Sequence, residues 1–432
     1  MSIIDNKGRS FSESVAFLQS ESESLRGEEG RLHVAILGGG PAGLIRAIDA
    51  LVQGHQAIII EARKNKGSGR ENAVLLQTKA VEVLQDYGVY QYLIENKLAY
   101  PTGKEGLLSA RLCDLETAMK AVIDQLAPGN NRIFYDCRVS AIDTSEEKAG
   151  IELQSSSGRI FKVEAIDLIV NAEGGKSSTN ALVGIDRIPV LDKVRAIVAL
   201  FKQTNSSYVK ANEFFYGNDG VILAGTFVRT PQQTYLGFGI TQKENEKFVA
   251  LETEIERARG EAPSKKNREV TRLEKQKLNL LNEIAKKAFL NDSPSSEVVF
   301  ASLLRVPPLQ SVSIIEIGAD RASRYSLRLT EKTAFIVAGD AAAIVDPSTA
   351  RGCSTALATT RAFHAFLGLL QKQPEKMEEW LARYQTELET RNFQNHLYSL
   401  KIRQQLYGVE DPSAKWLDSA TSIVEVDADT GE

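Results

Sequence analysis

The sequence predicts an α/β fold: a Rossmann-like, doubly wound dinucleotide-binding domain, interleaved with a second, sheet-based domain and followed by C-terminal helices. Three features predict it. A strand, a glycine turn, a helix and a second strand follow one another between Leu32 and Glu61; longer β-branched and aromatic strands take over from about residue 182; and the first pattern returns with an apolar strand at 334–338. Parallel strands joined by a helix require a right-handed crossover, so the unit at 32–61 opens a doubly wound sheet.

The elements follow in order. Leu32-His33-Val34-Ala35-Ile36-Leu37 is a short apolar run ending in a glycine cluster, which reads as a buried strand. From Ala42 to Gly54, Leu44, Ala47, Ile48 and Leu51 recur at helical spacing, and Gly54 is placed to end the helix. A second apolar run, Ala57 to Ile60, ends in Glu61. Helices are expected over 78–87 and 115–126, short strands over 132–135, 151–153 and 160–163, and a buried strand over 167–172 that runs into Glu173-Gly174-Gly175. In the second domain, 196–202 and 220–228 read as strands. The charge-dense stretch 243–287 reads as a helical pair broken at Gly260-Glu261-Ala262-Pro263-Ser264. The chain then returns to a strand, 334–338, entering Gly339-Asp340; a long helix is expected from near Gly352, and further helices fill 375–406. The expected division is a flexible N-terminal segment 1–30, a discontinuous dinucleotide-binding domain 31–181 and 306–372, and a substrate domain 182–305 carrying the insertion 243–287. C-terminal helices 373–417 and an acidic tail 418–432 complete it.

Composition bounds the function classes. With 43% hydrophobic and 25% charged residues the chain is ordinary for a globular protein, and at 432 residues it can bury a cofactor whole. A formal net charge of -4 gives no electrostatic reason to expect nucleic acid. No apolar run approaches the roughly 20 residues needed to cross a bilayer, and the Ser/Glu-rich start lacks the apolar core of a signal peptide. Cys113, Cys137 and Cys353 are an odd number without C-x-x-C spacing, which argues against a disulfide framework and fits a reducing cytoplasm. His33, His55, His364 and His396 are scattered without ligand spacing, so no metal site is expected.

The chemistry begins at Gly38-x-Gly40-x-x-Gly43, in which Pro41 and Ala42 open the helix. The three glycines suit a tight turn, close backbone approach to a pyrophosphate and close helix-strand packing. Phosphates would sit on the helix N-terminus, where free N–H groups and the helix dipole meet negative charge. Glu61 closes the next strand 23 residues after Gly38, where a carboxylate can take both ribose hydroxyls. A carboxylate there disfavours a 2′-phosphate, so FAD or NAD is preferred to NADP at this site. The alternative is a tight turn in an ordinary sheet.

Near the other end, Gly339-Asp340-Ala341-Ala342-Ala343-Ile344-Val345-Asp346-Pro347-Ser348-Thr349-Ala350-Arg351-Gly352 resembles the flavin-contacting motif of the para-hydroxybenzoate hydroxylase superfamily of FAD monooxygenases. The resemblance implies an FAD-binding domain of the glutathione-reductase-like type. It implies that Asp340 binds the ribityl chain, that Pro347 lies beside the isoalloxazine, and that the helix opening at Gly352, with Cys353 and Ser354, faces the flavin N1–C2=O edge, where reduced flavin carries negative charge. Gly69-Arg70-Glu71-Asn72-Ala73-Val74-Leu75-Leu76-Gln77 falls where the superfamily has a second FAD-contacting segment, and its Arg70-x-Asn72 is similar to the MICAL-type flavin monooxygenases. Arg111 matches a position that reaches the FAD phosphates; Arg63 and Arg70 could also neutralise pyrophosphate, and Ala62 and Val139 join the implied cofactor contacts. The segment 167–174 resembles the superfamily's Asp-Gly motif, which touches FAD and reductant, with Glu173 in place of the aspartate before Gly174.

The closing motif departs from the family at Ala343 for a histidine, Thr349 for a glycine and Ser354 for an asparagine. The resemblance implies an FAD-dependent monooxygenase that uses NAD(P)H and O₂ on a small molecule or a protein side chain. Two other readings stand beside it: an FAD oxidoreductase that inserts no oxygen, and a flavin-fold interaction protein that uses the 243–287 helices. No catalytic side chain is assigned, because the cofactor would carry the hard chemistry.

Overall fold

The computed structural model of the chain describes residues 8–25, 30–64, 72–101, 106–129, 132–202, 213–215, 225–229, 233–239, 242–261, 268–289, 309–346 and 351–407. In chain order the first half comprises α1 (Phe11–Leu25), β1 (His33–Leu37), α2 (Pro41–Val52), β2 (Gln56–Glu61), β3 (Ala73–Leu76), α3 (Thr78–Asp86), α4 (Val89–Glu95), β4 (Ala99–Pro101), β5 (Leu108–Arg111), α5 (Leu112–Leu126) and β6 (Ile133–Tyr135). Then come β7 (Cys137–Asp143), β8 (Ala149–Ser155), β9 (Ile160–Ile166), β10 (Leu168–Asn171), α6 (Thr179–Leu182), β11 (Arg187–Lys202), β12 (Glu213–Phe215), β13 (Gly225–Arg229) and β14 (Gln233–Gly239). Last are α7 (Gln242–Glu261), α8 (Arg268–Phe289), β15 (Leu309–Ala322), β16 (Ser326–Arg328), β17 (Ala334–Val337), β18 (Ala343–Ile344), α9 (Gly352–Ala358), α10 (Thr360–Lys372) and α11 (Met377–Tyr407).

A six-stranded sheet in the order β16-β17-β10-β1-β2-β6 organises the molecule, parallel throughout except for the edge strand β16. Its strands are apolar on both faces, as a parallel sheet covered by helices requires: β10 and β17 are buried at every position. Sequence order reverses between β1 and β10, which makes the crevice beyond their carboxyl ends a topological switch point. The register brings that crevice to one line. Leu37 pairs with Ile60 and with Asn171, and Asn171 pairs with Val337. The chain therefore leaves β1, β2, β10 and β17 at the same edge, through Gly38, Glu61, Ala172 and Ala338.

Helix α2 forms because its apolar residues recur at 3.6 spacing behind Pro41 in the first turn. It is buried almost end to end, with Leu44, Ile45, Ala47 and Ile48 at 0% exposure. Each of the Leu and Ile side chains contributes roughly 1.5–3 kcal/mol of burial, so the helix is held firmly under the site.

A second six-stranded sheet, β12-β13-β14-β11-β15-β18, is antiparallel. The expected boundary of the second domain at 305 therefore shifts. Strand β15 pairs along most of β11, and Ala343–Ile344 of the closing motif adds the last strand. Residues 309–322 and 343–344 belong to this sheet and not to the dinucleotide-binding layer. Leu309–Ala322 carries Ser, Glu, Asp and Arg between its apolar residues, the pattern of an antiparallel strand and not of a parallel one.

The N-terminus is a further correction. Within the segment expected to be flexible, Phe11–Leu25 is a helix that buries Val15 and Leu18 against α2, α4 and α5, with Phe11 edge-on to Tyr92 at 5.0 Å. Its apolar residues are few, so the Ser/Glu-rich composition hides them. The helical pair of the insertion is α7 and α8, packed through Ile255, Ala258 and Leu273. The sequence reading missed β7, which pairs with β8, and the small sheet β3-β5-β4. Residues 418–432, and most of the strand expected at 220–228, lie outside the described residues.

Candidate functional site

The glycine turn after β1 is built by exclusion. Gly38 has φ +108°, and a Cβ there would lie 2.3 Å from the Ala172 carbonyl oxygen; a Cβ on Gly43 would lie 2.0 Å from the Gly38 oxygen. The turn fits between β10 and α2 only without side chains. Gly40 caps α2 with extended backbone (φ −83°, ψ 178°). In the first turn of α2 Pro41 has no N–H and the Gly43 N–H donates to the Gly40 carbonyl at 3.0 Å, so the helix end offers an incoming acceptor the Ala42 N–H and the positive end of its dipole.

Glu61 closes the turn from the neighbouring strand. Its Oε2 accepts from the Gly39 N–H at 2.8 Å and from Arg63 Nη2 at 2.8 Å, and its Oε1 accepts from the Arg63 N–H at 2.7 Å. Burial opposes ionisation, but the hydrogen bonds and charge of Arg63 win and hold the carboxyl below its usual range. Arg63 also donates to the Gly39 carbonyl at 3.1 Å and pairs at 3.3 Å with Glu116, which is buried on α5. Gly38, Gly40, Pro41, Ala42, Gly43, Glu61 and Arg63 thus stand at one edge of the sheet. Ala62 follows Glu61 in the loop, and Val139 is buried in β7, the strand after β6.

Arg111 is engaged differently from the expectation. Its guanidinium makes a bidentate pair with Asp114, at 2.6 and 2.8 Å, one turn into α5, so its charge is compensated locally. Asn72 is exposed, and its carbonyl accepts from the Leu112 N–H at 2.9 Å. Arg70 and Pro347 lie outside the described residues, as does Thr349.

Glu173 folds back on its own loop. Its Oε2 accepts from Ser177 Oγ at 2.8 Å and from the Thr179 N–H at 3.1 Å, so the extra methylene relative to aspartate serves to cap α6. Gly174 beside it has φ +87° and open space around it. From this loop a polar chain runs to the closing motif. Asn171 Nδ2 donates to Ser177 Oγ (2.8 Å) and to Asn180 Oδ1 (2.6 Å), and Asn180 Nδ2 donates to the Ala341 carbonyl (3.0 Å).

Gly339, with φ +59°, packs so closely on α2 that a Cβ would lie 2.6 Å from Ala42 Cβ; the two glycine-containing motifs meet there. Asp340 is exposed at the turn. Arg187, at the start of β11, grips its backbone: Nη1 donates to the Ala341 carbonyl at 2.8 Å and Nη2 to the Asp340 carbonyl at 2.9 Å, and the guanidinium pairs with Asp320. Gly352 and Cys353 open α9 at intermediate exposure. Ser354 Oγ, standing where the family has asparagine, accepts from the Gln77 N–H at 3.0 Å and donates to the Leu75 carbonyl at 3.3 Å, which ties α9 to the segment after β3. A small cavity between Gly339, Gly352, Thr355, Thr359 and Asn392 separates the arms of the closing motif.

The family described as "FAD binding domain" matches residues 31–279, more than half of the chain. The chain belongs to this family. Its folded form is similar to p-nitrophenol 4-monooxygenase PnpA from Pseudomonas putida DLL-E4, with TM-score 0.63 and 14% identity over 91% of this chain and 93% of that one. It is similar also to pqsL, a probable FAD-dependent monooxygenase from Pseudomonas aeruginosa, with TM-score 0.63 and 18% identity over 87% and 97% of the two chains. A third, the flavin-dependent monooxygenase PieE in complex with FAD and substrate, gives TM-score 0.61 and 15% identity over 92% and 69%. At these identities the likeness is one of fold. No curated protein matches the sequence.

For an FAD binding domain the residues present fit the cofactor. The glycine turn excludes side chains where a pyrophosphate approaches, and a carboxylate held ionised stands where a ribose would lie. Among the described residues no helix is long and apolar enough to cross a membrane. Arg46, Glu116, Asn180 and Arg187 escaped the sequence reading. Only Arg46 had left a signal there, as a charge that, with Asp49 three residues on, interrupts an apolar helix.

Proposed function

We propose that this FAD-binding chain is a flavin-dependent monooxygenase that takes its reducing equivalents from NADH or NADPH and delivers one atom of O₂ to a small-molecule substrate. The observation that carries this reading is the convergence of four segments, Gly38–Gly43, Glu61–Arg63, Glu173–Gly174 and Gly339–Asp340, on one edge of a parallel sheet, in a fold shared with flavin monooxygenases. Bound FAD supplies the redox chemistry, accepting hydride and activating O₂.

The chain's own residues bind, orient and shield. The N-terminus of α2, at Gly40, Ala42 and Gly43, would hold the pyrophosphate; Glu61 would accept the adenosine ribose hydroxyls; and Asp340 would hold the ribityl chain. Gly352, Cys353 and Ser354 would supply the backbone facing the flavin ring, with Pro347 beside it. Arg63, which bonds the Gly39 carbonyl, would stand next to the phosphates, whereas Arg111 would have to leave Asp114 to reach them. Because Glu173 is spent on Ser177 and Thr179, reductant contact in this loop falls to its backbone and to Gly174. The substrate would lie between the dinucleotide-binding layer and the sheet of β11–β15. PnpA acts on a small phenol by its name, and we carry that size class over. A protein side chain as acceptor rests on Arg70 and Asn72 alone.

The deciding experiment is rapid mixing of the purified yellow protein with NADH or NADPH, under air and under argon. Bleaching under argon and reoxidation under air support an oxygen-using enzyme. Flavin that neither nucleotide reduces, with or without candidate phenols, refutes the monooxygenase reading, and a preparation that binds no added FAD refutes cofactor and reaction together.

A further inference from the structure

Among the described residues the largest side chain completely shut away from solvent is a cation. Arg46, in the second turn of α2, is 0% exposed. Its Nη1 donates to the Ala42 carbonyl at 2.8 Å and the Ala356 carbonyl at 3.2 Å, and its Nη2 donates to Thr359 Oγ1 at 2.9 Å. Its buried Nε has no partner. Among the described residues no carboxylate pairs with this guanidinium: Asp49, one turn further along α2, takes Tyr87, His364 and Gln53 on its Oδ1, and its buried Oδ2 makes no hydrogen bond to Arg46 or to any other group. Every acceptor that Arg46 touches is neutral.

Burying a charge without a counter-ion is costly. The hydrogen bonds account for Nη1 and Nη2, and the Ala356 carbonyl lies in the last turn of α9, where a donor is favourable. They do not account for the charge, which a neutral amide donor would have avoided. Position does. Side chains on a helix lean toward its N-terminus, so the guanidinium lies against the first-turn carbonyl of Ala42, the residue on which Gly339 packs. The positive end of the α2 dipole and this buried cation add at one place, and an anion at that end would offset both.

We propose that Arg46 is a built-in counter-charge for the pyrophosphate of the bound dinucleotide, and that the same guanidinium positions α9 against α2. The proposal rests on the FAD reading above. Arg46 touches no cofactor atom in this role; it acts through the electrostatic potential at Ala42 and through the α2–α9 contact.

The test uses the full chain freed of flavin, in wild-type form and as Arg46→Met and Arg46→Lys. ADP, adenosine and FAD are titrated by calorimetry, and urea unfolding is followed in parallel. Arg46→Met is expected to weaken ADP and FAD about tenfold or more while leaving adenosine, which carries no phosphate, within twofold. Arg46→Lys keeps the charge but not the fork, and is expected to hold ADP within about threefold of wild type even as its unfolding midpoint drops. Equal weakening of ADP and adenosine in Arg46→Met, or unchanged ADP affinity, overturns the counter-charge. Should Arg46→Met not fold, loss of ADP affinity in Arg46→Lys in step with its stability overturns it equally. A wild-type protein that binds no FAD overturns the cofactor reading itself. Wild-type binding beside an indifferent Arg46→Met overturns only the role of Arg46.

Discussion

Arg187→Met removes the grip that the second sheet has on the Gly339-Asp340 turn. The native guanidinium donates to two backbone carbonyls, at 2.8 and 2.9 Å, and pairs with Asp320. Burial lowers its pKa, but Asp320 and Asp340 oppose that, and an arginine stays charged. Hydrogen bonds from a charged donor are worth about 1.5–3 kcal/mol each. The full sum does not apply here. The Arg187 side chain is 25% exposed and Asp320 31%, so water compensates in part, and the Ala341 carbonyl keeps the amide of Asn180 at 3.0 Å. A loss of about 2–3 kcal/mol in unfolding free energy remains after that discount. If half of it reaches the turn that presents Asp340, FAD binding weakens about tenfold, since about 1.4 kcal/mol is a factor of ten. Urea unfolding of the apoprotein and quenching of flavin fluorescence on titration measure the two effects separately. A variant with wild-type unfolding midpoint and FAD affinity within twofold would refute the reasoning that the second sheet holds the flavin motif in place.

Other perturbations separate the cradle from the scaffold. Gly40→Val keeps a backbone conformation open to any residue (φ −83°) and should leave a folded, colourless protein, whereas Gly43→Ala, with its Cβ 2.0 Å from the Gly38 oxygen, should also lower the unfolding midpoint; equal flavin absorbance in Gly40→Val contradicts the phosphate assignment. Glu173→Gln should cost about 1 kcal/mol of stability through the weakened α6 cap and leave the KM for reduced nicotinamide unchanged, and a raised KM without a stability change would return Glu173 to the reductant site. His364 donates from Nδ1 to Asp49 at 2.7 Å, and the charge of Asp49 raises its pKa above 6.5. The pair's contribution is therefore complete below pH 6.5 and lost as pH rises through the folded value, so the stability gap between wild type and His364→Gln should narrow from pH 6 to pH 9. His55 and His396 run the other way: burial lowers each to about 4, so each costs roughly 2 kcal/mol at pH 5 relative to neutral pH. His396→Leu should lose less stability than wild type between pH 7 and pH 5, by about that amount.

The first half of the site could be read from the sequence because its geometry is local. A strand, three glycines, a helix and a carboxylate 23 residues on involve chain neighbours, and hydrophobic period and turn chemistry report on neighbours. Interactions that span the chain leave no such trace. Arg46 meets Thr359 across 313 residues and Arg187 meets Ala341 across 154, and nothing in either local sequence announces its partner. Strand β15 was placed on the wrong side of a domain boundary for the same reason, since what pulls it into the second sheet is pairing with β11. Helix α1 was hidden by composition: two deeply buried apolar residues, Val15 and Leu18, are enough to dock it when α2, α4 and α5 already present an apolar surface.

The departures of the closing motif look different once their neighbours are known. Ala343, in place of the family histidine, is a buried residue of β18 that pairs with Arg321; a small side chain suits a position closed in by a neighbouring strand. Ser354, in place of asparagine, still ties α9 to the chain after β3 through Gln77 and Leu75. Both substitutions are compatible with the backbone path of the motif, and Ser354 keeps a polar atom that is engaged with Gln77 and Leu75. On the proposed function, binding would depend chiefly on that path, through glycines, helix ends and the Arg187 grip, whereas the fate of oxygen would depend on the side-chain atoms that line the ring. FAD binding should therefore survive the departures intact. The partition of reducing equivalents between oxygenated product and free peroxide is where they should register, and restoring the family residues with Ala343→His and Ser354→Asn should shift that partition without changing FAD affinity more than about threefold. A large change in FAD affinity with an unchanged peroxide yield would show that these positions serve the path and not the ring.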